Sequence, residues 1–179
     1  GRIRTSGGLQ DFLPVNSFVI SQKAIGFDGL LNFYANRNSV SDLAFEKAFK
    51  EHTHWGPQLT SRYVVDCSEK LLKKIHGINT VTGVTISAPG FYGPQGRVLR
   101  LPLADPDLNE KIESFEFEGH KITNFEMECS AIYGLSKLLR HEALTICLII
   151  ANRIRKDANA SYHNSIESLI ELVLDRLTS

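Results

Sequence analysis

Apolar residues recur with two periods along the chain, and these periods predict alternating strands and helices. The segment from Ala143 to Ala151 is apolar on both faces, which is typical of a central strand in a parallel sheet. Residues 81–87 alternate in the manner of another buried strand, whereas residues 163–177 have the spacing of an amphipathic helix. The pattern predicts one α/β domain over residues 1–179.

Other elements are predicted from shorter patterns. Residues 1–8 are typical of a strand end that enters a glycine-bearing turn, and residues 15–25 of a half-buried strand. The apolar spacing from Ser61 to His76 predicts a helix that ends at Gly77. Another helix is expected over residues 127–140, directly after an acidic segment.

Composition and charge exclude several classes of protein. Lysine and arginine together number 20, and so do aspartate and glutamate, so no net charge favours nucleic acid or a membrane. The three cysteines are an odd number and lie near apolar residues, which favours reduced thiols over a disulfide framework. No signal-peptide pattern is visible in these residues, and no apolar run approaches about 18 residues. We therefore expect a soluble cytoplasmic protein that binds neither a membrane nor a nucleic acid polymer.

Two histidines, His52 and His54, have a spacing that would put both on one face of a strand. A typical zinc site needs at least three protein ligands, and no third ligand is evident. We therefore expect surface histidines and no metal.

The chain begins at Gly1 without an initiator methionine, in a pattern typical of the middle of a strand. Domains rarely begin in this way without a partner segment ahead of them. We therefore expect the 179 residues to be the C-terminal part of something longer.

An acidic junction precedes the helix expected over residues 127–140. Glu126 and Glu128 lie where a loop is expected to enter the helix, so a carboxylate gains from the helix dipole and from unpaired amide donors. Such a carboxylate can also accept hydrogen bonds from two neighbouring hydroxyls, as on a ribose. The alternative is an ordinary acidic first turn.

The loop over residues 88–97 carries candidate recognition groups after a buried strand. Phe91 or Tyr92 offers a flat face for a heterocycle, while Gln95 and Arg97 offer donors and an acceptor for its edge. The alternative is a surface loop whose aromatic side chains cover the edge of the core.

The start of the chain could bind an anion. Thr5, Ser6 and the amides near Gly7 could surround it, and Arg2 or Arg4 could supply a forked donor. The alternative is a tight turn with exposed arginines.

Together, four ordered segments resemble the nucleoside phosphorylase family, and specifically its uridine phosphorylases. The loop with the pattern Phe-Tyr-x-x-Gln-x-Arg is the narrower marker, whereas the Glu-Met-Glu junction is shared widely. The four segments are residues 2–8, 91–97, 124–130 and 150–153.

The resemblance implies a central mixed sheet flanked by helices, in a single-domain α/β sandwich. It also implies phosphorolysis of uridine to uracil and ribose 1-phosphate, with inorganic phosphate as co-substrate and no cofactor or metal. Arg2 and Thr5 match residues that bind the attacking phosphate. Assembly as a homo-oligomer built from dimers, up to a hexamer, is a further implication.

The resemblance also assigns the groups that bind the nucleoside. Gln95 and Arg97 match the pair that recognises uracil, with Phe91 beside the base or sugar. The ribose would be bound by Glu128, with the backbone of Met127 and with Glu126 nearby. Ile150 and Ala151 would line the base pocket. The catalytic assignments are therefore Arg97, Gln95 and Arg2.

Asn152 and two departures from the family pattern leave alternatives open. Purine-cleaving relatives have an aspartate where this chain has Asn152, which disfavours a purine. Arg4 replaces a glycine, which would cost about 1 kcal/mol or more if that glycine needs a positive φ. The resemblance also implies an N-terminal segment, with a phosphate loop, further arginines and a histidine lent by the adjoining subunit, which these 179 residues do not include. The alternatives are a purine phosphorylase, a nucleosidase of the same family, and a catalytically incomplete relative that only assembles.

Overall fold

A mixed sheet of eight strands forms the centre of the protein, with helices packed against it. The computed structural model describes residues 1–77 and 79–178. The strands are β1 (Arg2–Gly8), β2 (Phe18–Gly26), β3 (Tyr63–Asp66), β4 (Val81–Ser87), β5 (Glu116–Phe117), β6 (His120–Glu126), β7 (Thr145–Asn152) and β8 (Asp157–Ala158). The helices are α1 (Leu43–Thr53), α2 (Glu69–Ile75), α3 (Leu108–Ser114), α4 (Cys129–Leu138) and α5 (His163–Thr178), with 3-10 turns at Leu30–Phe33, Arg37–Ser39 and Gly93–Gln95. The predicted α/β class with a mixed sheet is confirmed.

The sheet closes on itself. Its order is β3-β2-β4-β6-β1-β7-β8, and an additional pairing joins β2 to β7, so β2, β4, β6, β1 and β7 form a ring. Strands β2, β4 and β6 run parallel, as do β1 and β7, and the two groups meet in antiparallel pairs. The carboxyl ends of β2, β4 and β6 therefore face the same way as the amino ends of β1 and β7.

Two apolar clusters pack the helices onto the ring. One joins β2, β3 and β7 to α2, α4 and α5, and Tyr63 and Tyr133 are its largest buried side chains. The other joins β4 and β6 to α1 and α3 through the rings of Phe45, Phe49 and Phe115. Burial of these side chains is the main term that holds the helices on the sheet.

A chain of buried polar side chains crosses the ring. Thr85 Oγ1 donates to Asn124 Oδ1 at 2.9 Å, so its oxygen accepts the 2.6 Å bond from Ser21 Oγ. Asn124 Nδ2 donates to Ser6 Oγ at 2.7 Å, and that hydroxyl donates to the Phe125 carbonyl at 2.5 Å. The bonds link β2, β4, β6 and β1, and each group has its partner, as a buried polar group requires.

The helix predicted from Ser61 to His76 is wrong in its first half. Residues 63–66 form β3, which pairs antiparallel with β2. Val64 and Val65 are buried there, because β-branched side chains pack well on a pleated surface. The helix begins only after Ser68, whose hydroxyl accepts from the Leu71 amide at 3.1 Å and caps α2.

The turn predicted near Gly7 and Gly8 is also wrong. Strand β1 continues through Gly8 and pairs with β6 and β7, with a register shift between Ser6 and Gly7. A Cβ on Gly8 would lie 3.0 Å from Asn152 Nδ2, so the glycine allows close packing between strands. Arg4 consequently lies in a strand and is not among the non-glycine residues with positive φ, so the expected strain does not arise.

The two histidines do not share a strand. His52 lies in α1, where its ring packs on Phe115, and His54 follows the helix with a φ of 50°. Within residues 1–77 and 79–178, no group of three or more His, Cys, Asp or Glu side chains could hold a metal ion. None of the helices in these ranges is long and apolar enough to span a membrane.

We expect Thr85→Val to reduce the free energy of unfolding by about 1–2 kcal/mol, because it removes one link from a buried hydrogen-bond chain. Thr82→Val is the matched control, since Thr82 lies on the same strand but outside that chain, and we expect a change within about 0.5 kcal/mol. Urea denaturation measures both. Equal effects of the two variants would contradict a stabilising role for the chain.

Candidate active site

A buried ion pair lies where β1 begins and β6 ends. Arg2 Nη1 donates to Glu126 Oε2 at 2.7 Å, and the Glu126 side chain is fully buried. The other oxygen, Oε1, accepts from Ser87 Oγ at 2.5 Å, at the end of β4. One carboxylate therefore ties together the ends of three strands.

The same carboxylate caps helix α4. The backbone amides of Glu128 and Cys129 donate to Glu126 at 2.9–3.0 Å, and the Ser130 amide donates to Ser87 Oγ at 2.8 Å. Burial by itself raises the pKa of Glu126, but hydrogen bonds from Ser87 and Arg2 outweigh it and hold this pKa below its ordinary value. Glu126 therefore carries a negative charge that its protein partners already satisfy. The junction is a strand-to-helix junction, and the loop expected ahead of Glu126 is strand β6.

Glu128 is held differently from Glu126. Arg2 Nη2 and Arg4 Nη1 both donate to Glu128 Oε2, whereas the Glu128 side chain is 47% exposed. Glu128 therefore faces solvent beside two guanidinium groups. Met127, between the two glutamates, is half-buried.

Thr5 is not joined to this cluster. Arg2 and Arg4 are two residues apart on β1, and strand alternation puts Thr5 on the opposite face. Within the described residues, no side-chain hydrogen bond connects Thr5 to the arginines or glutamates.

A second cluster lies in the loop after β4. The Arg97 guanidinium stacks on the Phe91 ring at 3.8 Å and donates to Gln95 Oε1 at 2.6 Å and to the Phe91 carbonyl. Gln95 is only 4% exposed, whereas Phe91 is 52% exposed. Burial lowers the pKa of Arg97. Of the three predicted base-recognition residues, Phe91 and Gln95 therefore both contact Arg97.

Arg153 is the member of this cluster that the predicted site residues omitted. It follows β7, donates from Nη2 to Gln95 Oε1 at 3.2 Å and from Nη1 to the Gln95 carbonyl, and lies 4.9 Å from the Phe125 ring centre. Burial and the nearby charge of Arg97 lower the pKa of Arg153 to about 10. The signal in the sequence was a polar pair, Asn152-Arg153, directly after a buried strand.

Two arginines fix the orientation of the Gln95 amide. Because both donate to Oε1, the opposite atom must be Nε2, and among the described residues it has no hydrogen-bond partner. Gln95, Arg97 and Arg153 therefore present a concentration of N–H donors, a set suited to carbonyl oxygens that carry negative charge.

Ile150, Ala151 and Asn152 end strand β7. Ile150 and Ala151 are half-buried, and Ile150 packs against the apolar cluster of β2, β3 and β7. Asn152 Nδ2 donates to the carbonyls of Gln10 and Leu13, both at 2.7 Å, and its Oδ1 accepts the amides of residues 154 and 155 at 3.0 Å. The Asn152 side chain is therefore committed to the backbone around it.

The two clusters lie at the end of the same strand. Arg153 covers Phe125 and Arg2 binds Glu126, and these anchors are consecutive residues of β6. Successive side chains on a strand point to opposite faces, so the clusters flank the strand end. A cavity of about 1250 Å³ opens beside the loop, lined by apolar side chains and by polar ones that include Tyr92, Arg97 and Arg100, but neither Glu126 nor Glu128 lines it. A ligand that contacts both clusters must pass over the end of β6.

Comparisons with known proteins identify the family to which this fold belongs. The family described as Phosphorylase superfamily matches residues 2–178. The chain belongs to the Phosphorylase superfamily.

A more particular likeness is to uridine phosphorylases. The chain is 24% identical to the uridine phosphorylase of Thermococcus kodakarensis over 164 residues. The aligned region covers 87% of this chain and 49% of that protein. The chain thus spans about half the length of this curated relative.

Solved structures show the same fold. A Trypanosoma brucei nucleoside phosphorylase described as showing uridine phosphorylase activity superposes with a TM-score of 0.86 at 24% identity, over 99% of this chain and 62% of that one. A second structure, from a structural and catalytic analysis of two diverse uridine phosphorylases of Phytophthora capsici, superposes with a TM-score of 0.69 at 17% identity. The superposition covers 99% of this chain and 64% of that one.

We expect Glu126→Gln to reduce the free energy of unfolding by about 2 kcal/mol at neutral pH, because Arg2 loses its buried charged partner. The folded-state pKa of Glu126 is depressed, so its contribution is present above the ordinary value of 4.5 and is lost as pH falls through the lower folded value. The difference between wild type and variant should therefore shrink below pH 4.5. Urea denaturation over a pH series measures this. Glu167→Gln, on an exposed face of α5, is the control, and a pH-independent difference would contradict the assignment.

We expect Asn152→Asp to destabilise the protein by about 2–3 kcal/mol at neutral pH, because a carboxylate would face two backbone carbonyls without a donor. Asn164→Asp, in the exposed first turn of α5, makes the same chemical change and should shift stability by no more than about 0.5 kcal/mol. Thermal unfolding compares the two. A stable Asn152→Asp protein would show that the observed bonds are dispensable.

Proposed function

We propose that the protein takes part in phosphorolysis of uridine, which yields uracil and ribose 1-phosphate. The observation that carries the proposal is the convergence of Gln95, Arg97 and Arg153, a set of donors beside an exposed aromatic face. Uracil leaves the sugar with negative charge spread over its two carbonyl oxygens. Fixed donors attract that charge more strongly as it develops, so they stabilise the transition state more than the bound substrate.

Glu128 supports binding of the sugar. Its carboxylate is half-exposed, and one of its oxygens has no hydrogen bond to the described residues, so that oxygen can accept hydrogen bonds from ribose hydroxyls. Glu126 differs because its oxygens are already satisfied, and we propose that it acts through Arg2 and the start of α4. Holding the hydroxyls would orient the anomeric carbon toward the phosphate.

Arg2 supports binding of the phosphate. It is fixed on Glu126 and directs a second nitrogen toward the exposed Glu128. A bound phosphate would act as nucleophile and would offset the positive charge that builds on the sugar. The proposed role of Thr5 has weaker support, since Thr5 lies on the other face of β1. The reaction so proposed needs phosphate as co-substrate and no metal or organic cofactor.

The chain spans 49% of the length of its curated relative and 62% of that of a solved one, so the activity of the whole protein is itself part of the proposal. We also propose a cytoplasmic homo-oligomer built from dimers, as the family resemblance implies. Sites shared between subunits would then complete the phosphate and sugar contacts.

Cleavage of a purine nucleoside is the second candidate. It has less support, because the residue that would protonate a purine ring nitrogen is Asn152, whose amide is bonded to Gln10 and Leu13. Uridine and inosine, each assayed with and without phosphate, separate the candidates. Turnover without phosphate would indicate a nucleosidase, and no turnover of either would favour a relative that only assembles.

We expect Arg97→Ala to reduce kcat/KM for uridine phosphorolysis by about 10²-fold or more, because it removes a donor to the leaving uracil. Arg140→Ala is the matched control, since Arg140 is an exposed arginine that does not line the cavity beside Arg97, and we expect little change. Release of uracil, followed by absorbance, measures both. Equal kinetics in the wild type and Arg97→Ala would contradict recognition of the base by this cluster.

A further inference from the structure

Arg4 adds a second guanidinium group beside Arg2. Both residues lie on the same face of β1, and both donate to the same atom, Glu128 Oε2. The Arg4 side chain is 32% exposed and that of Arg2 is 20% exposed, so a small solute can reach both. A surface with two forked donors is suited to a polyoxygen anion.

The two carboxylates in this cluster are not equally replaceable. Glu126 is fully buried and is bonded to Ser87, to Arg2 and to the first amides of α4. Glu128 is 47% exposed, and among the described residues its carboxylate is bonded through Oε2 only, to the two arginines. Glu128 can therefore move away without breaking a bond of the core, whereas Glu126 cannot.

The charges of Arg2, Arg4 and Glu126 determine which kind of ligand takes the place of the Glu128 carboxylate. If the Glu128 carboxylate moves away, Arg2 keeps its ion pair with Glu126, while Arg4 loses its ion pair with Glu128. The vacated position then faces one uncompensated positive charge and the free side of a second guanidinium group. Such a position favours a dianion with several acceptor oxygens over a single carboxylate.

We propose that Arg4 and Arg2 together form an anion site for phosphate, and that Glu128 occupies this site until phosphate displaces it. The inference rests on the proposed function for the identity of the ligand. Arg4 becomes a phosphate-binding residue, and Glu128 becomes a group shared between two ligands. When phosphate displaces it, Glu128 is released toward the ribose hydroxyls.

The shared carboxylate couples the two ligands. A sugar that draws Glu128 away leaves the arginines free, and a phosphate that takes the arginines leaves Glu128 free. Thermodynamic linkage requires each ligand to improve the affinity for the other by the same factor. For one shared charged group we expect a factor of about 5 or more.

Titration calorimetry with inorganic phosphate alone tests the occupancy of the site. The samples are the wild type, Glu128→Gln, and the double variant Glu128→Gln with Arg4→Gln, at ionic strength held constant with chloride. Glu167→Gln and Arg140→Gln, both at exposed positions, are the charge-matched controls. Circular dichroism confirms that each variant is folded, and Glu128→Ala replaces Glu128→Gln if the latter is not.

We expect Glu128→Gln to bind phosphate about fivefold or more tightly than the wild type, because the competing carboxylate is neutralised. We expect the double variant to lose that gain, and both controls to match the wild type. Phosphate affinity in Glu128→Gln that equals or falls below the wild-type value would overturn the proposal. So would equal affinity in the single and double variants.

A second titration separates this inference from the proposed function. Phosphate is titrated into the wild type with and without saturating uridine, and we expect uridine to tighten phosphate binding about fivefold or more. If uridine is neither bound nor cleaved while Glu128→Gln still binds phosphate more tightly, the proposed function fails and the anion site stands. If uridine is cleaved but Glu128→Gln shows no gain, the proposed function stands and the role of Arg4 and Glu128 fails.

Discussion

The buried carboxylate of Glu126 is the contact on which the arrangement of the site depends. It accepts bonds from β1 through Arg2, from β4 through Ser87 and from the first turn of α4. Removing a carboxylate from water is costly, and the cost is offset only when its oxygens are satisfied. Both oxygens of Glu126 are satisfied, so the carboxylate fixes the relative positions of the strand ends from which the other site residues project.

The closed ring explains why this polar junction is compatible with a stable core. The polar chain through Ser21, Thr85 and Asn124 lies among ring strands, while the apolar clusters lie between the ring and the helices. Polar groups that all find partners rigidify a fold, whereas half-satisfied ones weaken it. The ring strands therefore supply a rigid base at the strand ends, and apolar burial supplies most of the stability.

The parts predicted correctly from the sequence are those set by local periodicity. Strands β4 and β7 and helix α5 follow from their apolar patterns, because burial on one or two faces imposes a period on the chain. Strand β3 was missed because its apolar run, residues 63–65, is short, and only pairing with β2 distinguishes it from the start of a helix.

The contacts of the site are beyond local prediction for a different reason. Arg2 and Glu126 are 124 residues apart, and only the antiparallel pairing of β1 with β6 brings them together. The same holds for Arg153 and Gln95, whose residue types were visible in the sequence but whose hydrogen bonds depend on the end of β7 reaching the loop after β4. Arg4 was expected to distort a turn, but the strand that contains it removes the strain and directs its charge to Glu128.

The relation between the two clusters limits the ligand. Phe125 and Glu126 are neighbours on β6, with Cα atoms about 3.8 Å apart, yet each anchors a different cluster on a different side of the strand. One cluster is a set of donors suited to a negatively charged leaving group, and the other combines an exposed acceptor with paired cations. In the proposed function, the carbonyl oxygens of uracil would meet the first cluster, and the ribose hydroxyls and the phosphate would meet the second. Because the clusters are held by neighbouring residues of one strand, the proposed substrate would lie across the end of β6, within reach of Arg97, Arg153 and Glu128.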